Sequence, residues 1–193
     1  MKNNIKDNIR SSLSMLLVLT ILLGVVYPAF ITLVAKILFN DSTNGSLIEK
    51  DGKVIGSYLL AQEFTENKYF WSRPSATTPP YNTLSSAASN LSPANMKLIG
   101  KINERVKTLK EADPMNKALI PVDLVTASAS GLDPNISLQA AEYQIGRIAK
   151  ARGKQPDEIQ KIIMDSVSTQ SKIFGIPYVN VLELNLKLDE TGK

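Results

Sequence analysis

The sequence predicts a single N-terminal transmembrane α-helix followed by an α+β extracytoplasmic domain with a small sheet and about three helices. Three observations carry this. Twenty-five consecutive residues without a charge run from Ser11 to Ala35. Hairpin and alternation patterns mark strands at both ends of the remaining chain, and capped segments with helical apolar spacing lie between them. The implied divisions are a cytoplasmic tail over 1–10, the membrane helix over 11–39 and the exported domain over 40–193.

A helix rising about 1.5 Å per residue needs roughly 20 apolar residues to cross a hydrocarbon core of about 30 Å. Leu13 to Leu38 supplies them. A cleaved secretory signal shares the positive start, but its apolar core is only about 7–15 residues long, and Ala29 has no A-x-A partner for cleavage. An uncleaved anchor is therefore the better reading. Pro28 removes a backbone donor inside the span, so a local kink is expected there. Lys2, Lys6 and Arg10 precede the helix and Lys36 alone closes it, which puts the N-terminus in the cytoplasm and the domain outside.

Asp41 to Ser46 reads as a polar, turn-rich linker. Leu47 to Gly56 reads as two strands around Asp51-Gly52, and Tyr58 to Phe64 is expected to extend the second strand. Thr77 to Ser89, with Pro79-Pro80, is an extended loop. Ser92 is expected to cap a helix with Pro93 at its first position, and Leu98, Ile102, Val106 and Leu109 share one face of it up to about Ala112. Lys97, Lys101 and Arg105 line the other side, where Glu104 and Glu111 interrupt the field. That favours a solvated face over a lipid or phosphate site.

Pro121 to Pro134 is turn-prone. Ser137 is then expected to cap a second helix with Leu138, Ala141, Ile145, Ile148 and Ala149 inward, ended by Gly153. Arg147, Lys150 and Arg152 complement the dipole of its last turns. Pro156-Asp157-Glu158 opens a third helix whose Ile159, Ile162, Ile163 and Val167 face inward. Leu182, Leu184, Leu186 and Leu188 alternate with Glu183, Asn185, Lys187 and Asp189, the pattern of a half-buried closing strand.

Composition excludes several chemistries. The chain has no cysteine and no histidine, so Cys-His or Ser-His-Asp catalysis, imidazole or thiolate metal sites and disulfides are all ruled out within it. Four of the 22 basic and one of the 18 acidic residues precede Asn40, leaving 18 against 17 in the domain. The pI of 9.2 therefore reflects the anchor's flanks and not a nucleic-acid surface. Val125 to Pro134 is the densest polar segment, and its hydroxyls and Gly131 invite comparison with an anion cradle. No Walker A spacing exists, and a Ser/Gly turn entering a capped helix explains the same residues. A second class stays open: a membrane-anchored hydrolase with Ser128 or Ser130 as nucleophile and a desolvated Lys150 as base. No Ser-x-x-Lys or Ser-x-x-x-Lys spacing accompanies those serines.

Motifs along nearly the whole chain carry a family resemblance. They are Gly56-Ser57 with Gln62 and Phe64, Tyr69-Phe70 into Arg73-Pro74-Ser75-Ala76, Ser89-Asn90-Leu91, Pro121 to Thr126, Ser128 to Ser137, Arg147 with Ala151-Arg152-Gly153, and Val179 to Leu182. Together these resemble KdpC, the C subunit of the bacterial Kdp potassium-transporting P-type ATPase. Ala88, Ser92 and Ala129 depart from the family's commoner glycines, which weakens a phosphate-cradle role for the amides there.

The resemblance implies an accessory subunit of the bacterial plasma membrane. Its partners would be a channel-like potassium-binding subunit, the P-type ATPase subunit, a very small membrane subunit and membrane lipid. No catalytic residue, metal or tightly bound cofactor is implied, and potassium is handled by the partners. Family accounts add a chaperone role that raises ATP affinity through a transient complex with ATP. Ser128, Ser130 and Gly131 are then the candidate nucleotide contacts. Candidate partner contacts are Gly24 and Ala29 on the anchor, Arg73 and Asn90 in the matched motifs, and Asp123 and Asp133, which could draw potassium toward a pore mouth. An exported domain lies opposite to cytoplasmic ATP, so the charge asymmetry favours a position over the extracytoplasmic mouth of the channel-like subunit.

Overall fold

The computed structural model describes residues 2–50, 52–168 and 175–191. The chain divides at Leu47 into two units. The first is helical. Helix α1 (Lys2–Ile21) passes through a wide π segment, Leu22–Val26, into α2 (Tyr27–Leu38). The stretch Ile5–Leu38 has 34 residues, and its most apolar window reaches a mean hydropathy of 2.5 with no side chain buried. At about 1.5 Å per residue this helix is long and apolar enough to cross a bilayer.

The irregularity expected at Pro28 lies one turn earlier. Proline has no N–H for the Gly24 carbonyl and its ring crowds that carbonyl, so the turn widens and Tyr27 N donates to Leu22 O. The linker after the anchor is more ordered than its composition suggested. It holds one helical turn, α3 (Asn40–Thr43), with Thr43 Oγ1 donating to Asn40 O at 2.8 Å.

The second unit opens with the expected hairpin, β1 (Leu47–Lys50) paired with β2 (Lys53–Ser57). Asp51 of the turn lies outside the described residues. Residues 58–64 leave the sheet instead of extending it, because Gln62 folds back and donates through Nε2 to Ile55 O at 2.8 Å. A long coil follows to the start of α4 (Met96–Ala112). Pro93 and Ala94 form a turn closed by Asn95 N on Ser92 O, so the cap is Asn95, whose side chain accepts from Lys97 N at 2.9 Å, and not Ser92. Leu109 is buried, and Ile102 and Val106 pack against the core.

Past a short 3-10 turn at Val122–Leu124 comes β3 (Asn135–Ser137), then α5 (Leu138–Tyr143), capped by Ser137 Oγ accepting from Ala140 N at 3.1 Å. The second expected helix is broken at the buried Gln144 into α5 and α6 (Ile145–Arg152), and Gly153 ends it at φ +64. Helix α7 (Pro156–Met164) starts with a Gln155/Glu158 capping box and buries Ile159 and Ile163.

The chain then forms β4 (Tyr178–Asn180), antiparallel to β3 with Ile136 opposite Val179. The leucine-rich end is not a strand. It is helix α8 (Val181–Glu190), started by Asn180 Oδ1 accepting from Glu183 N at 3.1 Å and braced by Lys187–Glu183 at 2.7 Å. Val181, Leu184, Asn185 and Leu188 repeat at helical spacing and are buried, with Leu182 beside them, a face which the strict alternation of leucines had masked. Two small sheets thus replace the single sheet expected from the hairpin and a C-terminal strand.

The core gathers Phe70, Ile136, Ile148, Ile159, Ile163, Val179, Leu184 and Leu188. Side-chain amides fasten the coil to it. Asn185 accepts from Phe70 N at 2.8 Å and donates to Phe70 O at 3.0 Å. Gln144 accepts from Trp71 N at 2.8 Å and donates to Trp71 O at 3.3 Å. Replacing Asn185 by Ala strands both polar groups of buried Phe70. Asn185→Ala should cost about 2–4 kcal/mol, read as a lower unfolding midpoint of the detergent-solubilised chain.

Candidate functional site

The motif residues converge where the coil meets the turn before β3. Ser75, from Arg73-Pro74-Ser75, donates through Oγ to Gly131 O at 2.7 Å and accepts from Tyr81 N at 3.0 Å. Thr77 Oγ1 donates to Pro79 O at 2.8 Å and accepts from Asn82 N at 3.0 Å. The Tyr81 hydroxyl donates to Arg73 O at 2.9 Å, and burial pushes its pKa up to about 12. These hydroxyls make one loop out of two distant stretches of sequence.

Ser128 Oγ accepts from Gly131 N at 2.9 Å, and Ser130 Oγ accepts from Leu132 N at 3.1 Å. The main chain of this turn is also tied outward, Ala87 N to Ser130 O and Ala61 N to Leu132 O, both at 2.9 Å. The amides suited to an anion are therefore already spent on the serine hydroxyls. Gly131 sits at φ +69, where a Cβ would stand 2.7 Å from Ala87 O. Only glycine fits there without strain.

Arg73 and Asp133 meet beside the turn, Nη1 to Oδ2 at 3.1 Å, while Asp133 Oδ1 accepts from Asn135 N at 3.0 Å. Arg73 Nε is buried with no partner. Asp123 Oδ2 accepts from Ser137 N at 2.7 Å. Arg73, Asp123 and Asp133 line a cleft of about 390 Å³ together with Ser137 and Tyr178. Arg73 and Asp133 also border a second cleft, of about 600 Å³, with Ser128, Ser130, Leu59 and Leu60. Six of the candidate residues thus share one region, and both aspartates hold main-chain amides there.

The other candidates lie apart from it. Gly24 is inside the π segment, with only Thr20 Cγ2 at 4.0 Å from a would-be Cβ, and Ala29 is exposed in α2. Asn90 is exposed in the coil at φ +50. Lys150 is exposed on α6, and among the described residues no hydrogen bond joins it to Ser128 or Ser130. A serine–lysine contact exists elsewhere, Lys187 Nζ to Ser166 Oγ at 2.8 Å. It has no catalytic character: Ser166 donates to Ile162 O at 2.9 Å and Lys187 is paired with Glu183. Among the described residues no cluster of three or more acidic side chains stands where it could hold a metal ion.

Sequence reasoning missed the residues that build the platform, namely Ser75, Thr77, Tyr81, Gln144 and Asn185. Buried amide and hydroxyl side chains carry no periodicity of their own. Ser75 stood in a matched motif with no role assigned to it, and the signal for Asn185 and Gln144 was placement on apolar helix faces.

Comparison with known proteins agrees with the motifs. The family model "KdpC: K+-transporting ATPase, c chain" matches residues 9–190. A potassium-transporting ATPase KdpC subunit of Dechloromonas aromatica is 48% identical over 190 residues, covering 97% of this chain and 100% of that protein. A KdpC subunit of Herminiimonas arsenicoxydans is 49% identical over 187 residues, with 96% and 98% covered. One of Serratia proteamaculans is 49% identical over 183 residues, with 94% and 97% covered.

Two glycine substitutions should separate a required conformation from a dispensable one. Gly131→Ala is expected to destabilise by about 2 kcal/mol through its positive φ and the Ala87 clash. Gly100→Ala, in the open middle of α4 with nothing within 4 Å of its Cβ, should stabilise by about 0.5–1 kcal/mol. Thermal unfolding of the two variants against the parent measures both.

Proposed function

Because this chain belongs to the KdpC family of K+-transporting ATPase c chains, we propose that it is a non-catalytic, single-pass accessory subunit of an ATP-driven potassium uptake complex. It sits in a bacterial plasma membrane with the N-terminus cytoplasmic and the folded domain outside. The domain stands over the entry of the channel-like subunit and stabilises its assembly with the ATPase and small membrane subunits. The observation that supports its membrane part is the helix Ile5–Leu38, whose uncharged run from Ser11 to Ala35 has no buried side chain. Such a surface demands lipid, and since a membrane-anchored hydrolase would share that helix, the family match over residues 9–190 is what supports the accessory-subunit reading over it.

The chemistry of the domain supports an accessory role. Its serines accept from main-chain amides, its arginines bind carbonyls or carboxylates, and histidine and cysteine are absent. We include the chaperone effect on ATP affinity in the proposal as one transmitted by subunit contact. The amides of Gly131 and Leu132, already donating to Ser128 and Ser130, argue against a phosphate cradle in that turn. Arg73, Asp123 and Asp133 are the proposed contact cluster on the domain, and Gly24 and Ala29 are the close-approach positions on the anchor.

Two measurements test this. Omitting the chain from the purified complex should abolish most potassium-stimulated ATPase activity, and adding it back should restore it. Activity that survives its omission refutes the accessory role. Because the chain has no cysteine, Ala129→Cys supplies a single thiol on an exposed turn. An impermeant maleimide should label it in intact spheroplasts, and labelling only after lysis would place the domain in the cytoplasm.

A further inference from the structure

A pocket of about 330 Å³ lies away from the Arg73–Asp133 cleft, between the coil and α4. Its walls include Phe64, Trp71, Tyr81, Leu109 and Leu124, and Arg105 reaches into it. Ligand sites typically enclose roughly 300–1,000 Å³, so this one suits a small or single-residue occupant.

The polar groups of the walls are largely satisfied from within. Trp71 Nε1 donates to Glu66 O at 3.1 Å and Tyr81 OH to Arg73 O at 2.9 Å. Ser72 Oγ donates to Gln62 O and Thr108 Oγ1 to Glu104 O, each at 3.0 Å. Arg105 differs. Its Nη1 donates to Val125 O at 2.8 Å, yet among the described residues no carboxylate lies within ion-pair distance of the guanidinium. Burial pushes Arg105 below the usual arginine range. Glu104 acts on it only through space, and a half-buried cation without a direct ion pair carries a desolvation cost that an incoming anion offsets.

We propose that this pocket binds a monocarboxylate carried on an aromatic or aliphatic body, its carboxylate held by Arg105 and its body packed against Phe64, Trp71 and Leu109. The free donors of a planar guanidinium match the two oxygens of a carboxylate. Glu63, exposed at the rim, opposes any anion in proportion to its charge, so phosphates, dicarboxylates and nucleotides are disfavoured more than a single carboxylate held on Arg105. The acid has two possible sources: an acidic side chain or chain terminus beside an apolar residue on a partner subunit, or a free small acid. The first source rests on the accessory-subunit reading; the chemistry of the pocket does not.

Trp71 is the only tryptophan in the chain, so its emission reads the pocket directly. Titrating the full detergent-solubilised chain with phenylpropionate should change that emission saturably, with the neutral phenylpropanol at least about tenfold weaker. Arg105→Gln should weaken phenylpropionate by about tenfold to hundredfold. Thr108→Phe fills the pocket wall while leaving Arg105 and its Val125 contact in place, and should abolish the response even where Arg105→Gln fails to fold. In the assembled complex, loss of the response assigns the pocket to a partner side chain, and a retained response assigns it to a free acid. Equal binding of acid and alcohol, or binding unchanged in both variants, overturns the proposal. Those outcomes are independent of whether the complex needs this chain for ATPase activity.

Discussion

Two side-chain amides, Asn185 on α8 and Gln144 between α5 and α6, hold the fold together by pairing with the main chain of Phe70 and Trp71. Each side chain presents one donor and one acceptor, as the backbone of a neighbouring strand would. The coil from residue 58 to residue 95 has little regular structure to satisfy its own polar groups, and Phe70 is fully buried within it. Without these pairs, burying Phe70 would leave an N–H and a C=O without partners, which cancels much of the gain from the ring. The position of Arg73, Ser75 and Thr77, and therefore of the turn at Gly131, follows from where Phe70 and Trp71 are pinned.

The same constraint explains what could be read from the sequence. Caps and periodicity worked where local chemistry decides: the long apolar N-terminal helix, the hairpin, Ser137, Gly153 and the acidic start of α7 were all legible. Alternation failed at Leu182 to Leu188 because four leucines at every second position also place Val181, Leu184 and Leu188 on one helical face. Asn185 decides between the two patterns. In a strand it would have faced solvent, whereas in the helix it is buried at 2% exposure with both amide atoms used. That choice depends on Phe70, more than a hundred residues earlier, and no local window contains both.

Part of the candidate set was legible as a cluster, but Gly24, Ala29 and Asn90 fall outside it and Ser75, Thr77 and Tyr81 were not among the candidates. Arg73, Ser128, Ser130, Gly131, Asp123 and Asp133 do gather in one region, so the motifs pointed to a real constellation. The polar turn reads as an anion cradle when only its letters are counted. Once Ser128 Oγ and Ser130 Oγ are seen to hold the amides of Gly131 and Leu132, the same residues describe a rigid turn. Hydroxyl side chains compete with ligands for nearby amides, and composition alone does not say which wins.

Arginine does in this domain what a disulfide often does in an exported one. The domain has no cysteine, and packing alone must restrain a long coil. Arg147 donates to Asn67 O at 2.7 Å and lies 4.0 Å over the Trp71 ring. Arg152 spans Lys68 O at 2.7 Å, Leu188 O at 2.9 Å and Asp189 at 2.8 Å. Arg105 ties α4 to Val125 O. Each guanidinium joins segments far apart in sequence, Arg147 and Arg152 through several fixed donors, a task that lysine's single flexible ammonium performs poorly. Burial pushes Arg147 down to about 10, still well above neutrality, so it stays charged among these cross-links. Because they do not depend on thiol oxidation, the domain holds its shape whatever the redox state of the compartment it faces.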